Sequence, residues 1–557
     1  MPGAVELPIC TDMADRVMGE TALERARSVS TRLRHVVPAL AGGFLVWLLM
    51  SARVVALVRD PSDRWVSAVP DDAFYYFQLA RNAALLHRWT FDGSSATSGF
   101  HPLWAYALTG LHLVAGDLDG RTLLLVLGLV SALGLGVAAA LTCTTATHLL
   151  GPPSVPLVVA VFAAPVAVMQ ASFLMESWIA CLVAAAIVLV VTREGAPRRA
   201  VALGVVALGV VGSVTRTDFG VVVVALLVGF LVAARGSLRS DGIRRSGLAL
   251  AGVVAGLGLV ALQDLAVSGT VLQTSVRVKQ HWTLVPGGIP GADSGALAGF
   301  DKPLTLLARV FTQVPPLDPA SDPHPLLWLV GLVLLGAGIA WGVRLRVRSG
   351  DLPAMCQPLV AGCLATVAGY LLLYSRDGEV QLWYAANLLV PCSLLLAATG
   401  VAVLRQRVLA PGIALAALAV TLSAVTLTSV PYPNQVSLLR AGTALRDAPD
   451  AGTVGAWNAG IIGFTADRGV VNLDGLVNDD AAAYVLRGDL AGYVHERGVG
   501  QIVDFRYMTD SPWARARGGY ADGRLETCLG APTATYDIGA PDADLSVLLR
   551  TVRPGCL

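Results

Sequence analysis

Long apolar runs recur along most of the sequence and constrain the fold more than any other feature. A helix needs about 20 apolar residues to cross the roughly 30 Å hydrocarbon core of a bilayer. Of the residues, 55% are hydrophobic and 14% are charged, which leaves too little polar surface for an ordinary water-soluble protein. The sequence therefore predicts a mainly α, polytopic helical membrane protein with about eleven transmembrane helices. The runs are 36–58, 121–146, 156–172, 178–193, 201–215, 219–236, 246–266, 325–343, 356–375, 384–402 and 410–429.

The positions of basic residues predict the topology, because Lys and Arg concentrate on cytoplasmic loops. The basic clusters fall on one side of the membrane if residues 102–115, too short to cross, form a helix lying on the outer face. The run 36–58 is too long for the core of a signal peptide, so we expect a retained first helix. Residues 1–35 are then a flexible cytoplasmic segment. The outside carries the first external loop (59–120), the second external loop (268–323) and the tail (430–557).

The tail is predicted to be a small extracytoplasmic α/β domain, separate from the transmembrane part at 36–429. Its runs GTVGAWNAGIIGFT, GVVNLDG and GVGQIVDF are typical of short strands, and 478–487 and 490–497 of helices. Cys528 and Cys556 both fall in this tail, and outside the cell they could form a disulfide. The other cysteines within or beside apolar runs are expected to be inert, and no Cys/His spacing indicates zinc.

The first external loop carries the run VPDDAFYYFQLARN, which puts Asp71 and Asp72 at the start of an amphipathic helix. One interpretation is a capping pair, because acidic side chains are favoured at a helix N-terminus. The other is chemical: one carboxylate takes a proton from a nucleophilic hydroxyl, and repulsion by its neighbour raises its pKa towards working pH. The pair also offers oxygen ligands to a divalent cation. On this helix we expect Phe74, Phe77 and Leu85 to face lipid.

The same run continues into FDG and SGFHPLW, and together they resemble the first external loop of the GT-C superfamily of membrane glycosyltransferases. That superfamily includes protein mannosyltransferases, lipid A aminoarabinose transferases and actinobacterial arabinofuranosyltransferases. The resemblance implies a sugar donor linked to polyprenyl phosphate and an Asp general base. Further echoes, each weak alone, cover most of the chain: FLMES (173–177), VTRTD (214–218), SGTVLQTSVRVK (268–279), LWYAANLLVP (382–391) and VVNLDGLVN (470–478).

The resemblance also implies individual roles. The first acid of the loop, Asp71, corresponds to the base, and Asp72 to a supporting carboxylate or metal ligand. A departing lipid phosphate needs cationic stabilisation, and the resemblance favours Arg216 and Lys279 for it, with Arg277 third. The residues alone leave another interpretation open, in which Arg216 only forms a salt bridge and the other two reach lipid headgroups.

Several further residues are candidates for contacting substrate, each with a structural alternative. A carboxylate or His beside the membrane also serves in ion pairs and hydrogen bonds, and Trp and Tyr also form interfacial belts. Asp474 in NLDG is expected to be a turn residue, with acceptor contact as the alternative. The candidates are His101, Glu176, Asp218, Trp104 and Tyr384.

Together these features predict an inverting glycosyltransferase of the cytoplasmic membrane that acts on an extracytoplasmic glycan, lipid or protein acceptor. The frequent use of Ala, Gly, Val and Arg suggests a GC-rich bacterial genome. Together with the arabinofuranosyltransferase likeness, it points to an actinobacterial cell-wall glycan, with arabinose or mannose as the sugar. No cofactor is required, although a divalent cation (Mg, Mn or Ca) at Asp71 and Asp72 stays open. The net charge of +1 gives no field for nucleic acid. The alternative is a transporter or flippase, for which charged or broken helices at mid-membrane are typical.

Overall fold

The computed structural model describes residues 36–193, 198–286, 300–311, 325–375, 380–448, 452–537 and 545–557. The N-terminal segment 1–35, predicted to be cytoplasmic, lies outside the described residues. So do residues 287–299 and 312–324 of the second external loop.

The first three quarters of the chain fold almost entirely as helices. This part contains α1 (Val36–Arg59), α2 (Asp71–Leu86), α3 (Pro102–Ala115), α4 (Gly120–Leu150), α5 (Val155–Phe162), α6 (Pro165–Phe173), α7 (Ser177–Thr192), α8 (Arg198–Thr215), α9 (Gly220–Ala233), α10 (Gly236–Ser268), α11 (Thr274–Leu284), α12 (Asp301–Phe311), α13 (Pro325–Arg348), α14 (Cys356–Tyr374), α15 (Ala386–Leu404) and α16 (Leu409–Val425). Short 3-10 turns precede α2, α5, α9, α15 and α16.

Six of these helices are long and apolar enough to cross a membrane: α1, α4, α10, α13, α14 and α15 with its preceding turn. The pair α5 and α6 is bent by 59° and would make a seventh span if counted as one. The helices α7, α8, α9 and α16 are apolar but shorter, with 14 to 18 residues each. Every apolar run is therefore helical, while length and composition support fewer spans than the eleven expected. Some apolar runs form helices too short to count as spans because a turn interrupts the helix, as between α8 and α9.

Arg53 is a fully buried charge within α1 that the apolar pattern did not single out. Its guanidinium donates to the Ser172 hydroxyl at 3.1 Å and to the carbonyl oxygens of Leu427 at 2.8 Å and Ser429 at 2.9 Å. These carbonyls lie in the segment that follows α16. Arg53 thus ties the first span to the last, at the point where the tail begins.

The first external loop folds as α2 and α3. The helix predicted at 102–115 forms with the same bounds and starts with proline in its first turn, where proline is tolerated. The expectation that Phe74 and Phe77 face lipid is wrong, because both are buried and pack against Phe464 of the tail. Leu85 is exposed. The α2 helix is therefore covered by protein on the face that the sequence pattern assigned to lipid.

The tail forms a small α/β domain around a five-stranded sheet of order β2-β1-β3-β5-β4. The strands β1 and β2, and β1 and β3, are parallel, whereas β5 is antiparallel to both β3 and β4. The strands are β1 (Thr453–Ala456), β2 (Val470–Asn472), β3 (Val499–Phe505), β4 (Leu529–Tyr536) and β5 (Val547–Val552). The helices are α17 (Gln435–Arg446), α18 (Ala459–Ala466), α19 (Asp479–Arg487), α20 (Leu490–Glu496), α21 (Arg506–Asp510), α22 (Pro512–Gly518) and α23 (Arg524–Cys528).

The prediction of a strand is correct for only the first part of one run in this domain. The run GTVGAWNAGIIGFT contains the strand β1 and then the helix α18, rather than strand throughout. Short apolar runs do not distinguish a buried strand from a buried helix by periodicity. The last two strands, which close the sheet, were not predicted. A disulfide joins Cys528, at the end of α23, to Cys556, beyond β5.

Candidate functional site

A cavity lies where the first external loop, the turns between spans and the tail domain meet. It encloses about 570 Å³ of empty space, including its open mouth. Charged and aromatic side chains dominate one part of its wall, and Leu476 and Val477 of the tail close another. Among the predicted site residues, those that line it are Asp72, His101, Glu176, Arg216, Lys279 and Tyr384.

Asp71 and Asp72 point in different directions. Successive residues on an α-helix are about 100° apart around its axis, so two neighbouring side chains cannot share one target. Asp72 lines the cavity, whereas Asp71 is not among the lining residues. One Asp71 oxygen accepts from the backbone N–H of Ile461 at 2.7 Å and the other from that of Gly460 at 3.1 Å. Asp71 therefore caps the N-terminus of α18 in the tail domain.

This placement changes the interpretation of the acid pair. Burial raises the pKa of Asp71 to about 7, and the charge of Asp72 acts in the same direction, while the hydrogen bonds from Ile461 and Gly460 oppose it. Such a pKa suits a general base, but the carboxylate oxygens face backbone amides instead of the cavity. The assignment of Asp71 as base is therefore at odds with its position, and Asp72 is the acid that can reach a substrate there.

Arg216 lies in the cavity wall but already serves two buried carboxylates. Its guanidinium donates to both Asp218 oxygens, at 3.0 and 2.8 Å, and to a Glu176 oxygen at 2.7 Å. Both Arg216 and Glu176 are almost completely buried. Arg216 therefore forms salt bridges, as one interpretation of the sequence predicted, and it does so with Asp218 and Glu176 at the same time. The prediction of Arg216 as a phosphate clamp is weakened, because its charge is already balanced.

The ion pairs continue into a polar and aromatic network between the spans. Asp218 also accepts from the Tyr374 hydroxyl at 3.0 Å, which in turn accepts from the Asn387 amide at 2.8 Å. The Tyr374 ring stacks on Tyr384 at 4.9 Å between centroids, and the Arg216 guanidinium lies 4.9 Å from the Tyr384 ring. Asp218 thus supports the wall from behind and is not itself a lining residue.

Lys279 is the second basic residue of the cavity wall. Its ammonium donates to the Tyr384 hydroxyl at 3.2 Å. Arg277 is two residues earlier on α11, hence about 200° away around the helix, and does not line the cavity. Trp104 does not line it either, because its buried indole N–H donates to the carbonyl of Leu174 at 3.0 Å. The structure thus separates Lys279 and Tyr384 from the other two candidates.

His101 and Glu176 both line this cavity, and each has one buried polar atom without a hydrogen-bond partner. The Nε2 of His101 lies 3.7 Å from a Glu176 oxygen, and burial lowers the pKa of His101, so the imidazole is neutral at pH 7. The His101 Nδ1 and the second Glu176 oxygen are buried without a hydrogen-bond partner. The backbone N–H of His101 donates to the Tyr76 hydroxyl at 3.1 Å, which fixes the loop. Both side chains therefore belong to the cavity wall, while their unpaired atoms are enclosed by protein.

The residues present do not form a ready-made cation site. Within the described ranges, no group of three or more His, Cys, Asp or Glu could hold a metal ion. The sequence left open a divalent cation held by Asp71 and Asp72 together, and in the structure both Asp71 oxygens instead accept from backbone amides. Asp72 alone is left from that pair as a possible ligand. The arrangement gives no support to a preformed site.

Asp474 lies beside the main cavity rather than in it. One of its oxygens accepts from the backbone N–H of Leu476 at 2.7 Å, as expected for a turn residue. It lines a second, smaller cavity together with Trp282, Trp457 and Arg517. Burial raises the pKa of Asp474 to about 8. The NLDGLV turn therefore separates the two cavities.

Sequence reasoning missed two tyrosines of the wall, Tyr75 and Tyr76. Tyr75 and Tyr76 follow Asp72 by three and four residues on the same helix. Residues at that spacing share a helix face, so the position of Asp72 could have indicated both tyrosines. It also missed Asp504, whose carboxylate accepts from the backbone N–H groups of Trp457 and Asn458 at 2.6 and 2.8 Å. No local signal marks Asp504, because its partners are more than 40 residues away.

Comparison with known proteins supports the fold and leaves the activity open. A family model described as a domain of unknown function (DUF8728) matches residues 428–540, which cover the tail domain up to the segment before β5. No curated protein matches the chain.

The solved structures similar to this chain include the oligosaccharyltransferase of Archaeoglobus fulgidus. Its apo form has 16% sequence identity and a TM-score of 0.51, covering 91% of this chain and 76% of that one. Its complex with an inhibitory peptide and a dolichol-phosphate has 13% identity and a TM-score of 0.50, covering 92% and 76%. Its complex with Zn and sulfate has 14% identity and a TM-score of 0.50, covering 87% and 71%.

The chain therefore has a GT-C-type polytopic membrane fold with a C-terminal domain. At these identities the likeness concerns the fold. The sequence resemblance to the superfamily agrees with it. The particular branches named from the sequence, the mannosyl-, aminoarabinose and arabinofuranosyltransferases, are not among these solved structures.

Proposed function

We propose that the protein is a membrane glycosyltransferase that moves a sugar from a polyprenyl-phosphate-linked donor to an acceptor outside the cytoplasmic membrane. The observation that carries this proposal is the cavity in which Asp72 shares a wall with Lys279 and His101. A carboxylate, an ammonium and a neutral imidazole are the groups that this transfer needs. The lining charges come from loops and helix ends, which favours chemistry at a membrane face over passage through it and so over the transporter alternative.

In this mechanism Asp72 is the general base. An acceptor hydroxyl attacks the anomeric carbon of the donor and gives its proton to the Asp72 carboxylate, while the bond from that carbon to the phosphate oxygen breaks. The lipid phosphate leaves with the electron pair. Negative charge then grows on the departing oxygen, and the Lys279 ammonium stabilises it more strongly than in the ground state. Attack opposite the leaving group inverts the configuration.

The other residues of the wall orient these groups. Arg216 fixes Glu176 and Asp218 and supports the Tyr384 ring, and the Tyr384 hydroxyl accepts from Lys279. His101 and Glu176, which line the cavity beside these groups, contact the donor sugar. The finer proposals from the sequence are an arabinose or mannose donor and an actinobacterial cell-wall glycan as acceptor.

The test is turnover by purified protein with a panel of polyprenyl-phosphate sugars, arabinose and mannose first, followed as release of free lipid phosphate. We expect Asp72→Asn to lower the rate about 100- to 10,000-fold, with binding of a sugar-free polyprenyl phosphate unchanged. Lys279→Met should weaken that binding and also lower the maximal rate. Asp480→Asn, at an exposed acid of α19, is the matched control. Wild-type turnover by Asp72→Asn would remove Asp72 from this role.

A further inference from the structure

We propose that the tail domain is needed for the transfer reaction, because its hydrogen bonds to Asp71 and Tyr75 fix α2 with Asp72 facing the cavity. In this proposal Asp71 and Tyr75 are positioning residues. The inference rests on the proposed function of Asp72 and gives a role to the domain that matches the family of unknown function.

The contact is a continuous row of hydrogen bonds. Five successive backbone N–H groups, those of residues 457–461, each donate to a side chain. Asp504 accepts the first two, the Tyr75 hydroxyl accepts the third at 3.2 Å, and Asp71 accepts the last two. The Tyr75 hydroxyl also donates to the carbonyl of Trp457 at 2.9 Å. Three of the five amides at the start of α18 are therefore satisfied by α2 and only two by the domain itself.

The first turn of α2 depends on these contacts because it has no cap of its own. Its N-cap residue is Pro70, which provides no side-chain hydrogen bond. The backbone N–H of Asp71 is instead 2.9 Å from the amide oxygen of Gln435, on α17, once that amide is oriented to suit its neighbours. Unsatisfied N–H groups at a helix start are a source of fraying. The turn that carries Asp72 is thus stabilised by the tail domain.

Two glycines allow the backbones to come this close. A Cβ added to Gly460 would lie 2.3 Å from the carbonyl oxygen of Asp71. A Cβ added to Gly99, in the loop before α3, would lie 1.7 Å from the carbonyl oxygen of Leu476, beside the cavity. Both neighbouring atoms are backbone atoms, so a side chain at either position moves one element away from the other. The tail domain therefore docks at two points around the same cavity.

The experiment compares Gly460→Ala with Gly500→Ala as a matched control. Alanine is normally better than glycine within a helix, so a loss in Gly460→Ala reports the contact with Asp71 and not helix propensity. The added methyl of Gly500→Ala has no atom within 4 Å, and Gly500 lies in the same domain. Hydrogen exchange of the α2 amides, binding of a sugar-free polyprenyl phosphate and turnover are measured for both.

We expect Gly460→Ala to exchange its α2 amides at least tenfold faster and to lower the maximal rate about 10- to 100-fold, since small misplacements of a catalytic group have effects of that size. Phosphate binding should stay within twofold, and Gly500→Ala should match the wild type. Asp71→Asn provides a second variant, because its amide accepts only one of the two N–H groups. Its maximal rate should fall less than that of Asp72→Asn.

Unchanged hydrogen exchange and unchanged turnover in Gly460→Ala would overturn the inference. A loss of rate no larger than the loss of folded protein would also overturn it. A loss in Asp71→Asn with wild-type turnover in Asp72→Asn would make Asp71 the base and also overturn it. If the wild type turns over no donor, the proposed function fails. The exchange of α2 in Gly460→Ala then decides alone whether the domain holds this helix.

Discussion

At the scale of single residues, the two acids of the first external loop have separate tasks because they belong to different surroundings. The sequence predicts the pair and its place at a helix start. It does not predict which acid meets substrate, since the partners of Asp71 are 389 and 390 residues further along the chain. Likewise, the ion-pair alternative for Arg216 was visible in VTRTD, but the simultaneous contact with Glu176 requires the packing of α7 beside α8.

The buried ion pairs of Arg216 lead to a prediction about stability. Replacing one partner of a buried salt bridge leaves the other charges unpaired, which typically costs about 3 to 5 kcal/mol. We expect Arg216→Gln to lower the free energy of unfolding by about that amount, measured by denaturant unfolding in detergent. Arg277→Gln, outside the cavity wall, should unfold like the wild type. Normal stability of Arg216→Gln with weakened binding of polyprenyl phosphate would restore the clamp interpretation.

At the scale of elements, the helices follow from the apolar runs, and the strands β1, β2 and β3 lie where short β-rich runs predicted them. The helix α18 was missed because residues 459–466 are apolar all round, which hides its periodicity. Its role as the partner of α2 could not be predicted, because a buried amphipathic face has the same pattern whether protein or lipid covers it. For this reason Phe74 and Phe77 were assigned to lipid.

The docking of α2 on α18 should depend on pH through Asp71. Its pKa is raised in the folded protein to about 7 from an ordinary 3.8, so the folded state favours the protonated acid. The stabilisation from this group is complete below about pH 4 and is lost as the pH rises through 7. The wild type should therefore lose stability relative to Asp71→Asn between pH 4 and 7. Thermal unfolding of both variants across this range measures the difference, which includes the altered titration of Asp72 and Asp504 because their charges act on Asp71. A constant difference would contradict the raised pKa.

At the scale of the whole molecule, the basic clusters and the tail domain define an expected orientation in the membrane. The exposed Ala96 of the first external loop should be labelled from outside after Ala96→Cys, and the exposed Asp241 of α10 only from inside after Asp241→Cys. Ser95, also expected to be reachable, is buried. Positions 195, 292 and 542, of which the first is expected inside and the others outside, lie outside the described residues.

Impermeant maleimide on intact and on opened cells makes this measurement. Every free cysteine in the described ranges is buried, and Cys528 and Cys556 are bonded. Cys10 lies outside the described residues, so both variants also carry Cys10→Ser. Labelling of Ala96→Cys only after the cells are opened would invert the orientation and move the cavity to the cytoplasmic side.

The two glycines at the docking points, Gly460 and Gly99, restrict how such chains can change during evolution. A change at Gly460 or Gly99 is not repaired by adjusting one neighbouring side chain, because the obstacle in each case is a carbonyl oxygen of the opposite element. The membrane part and the tail domain can therefore not drift independently at these points. Among related sequences, glycine at both positions should be inherited together with an acid at the position of Asp71, and chains that exchange their tail for an unrelated domain should lose all three.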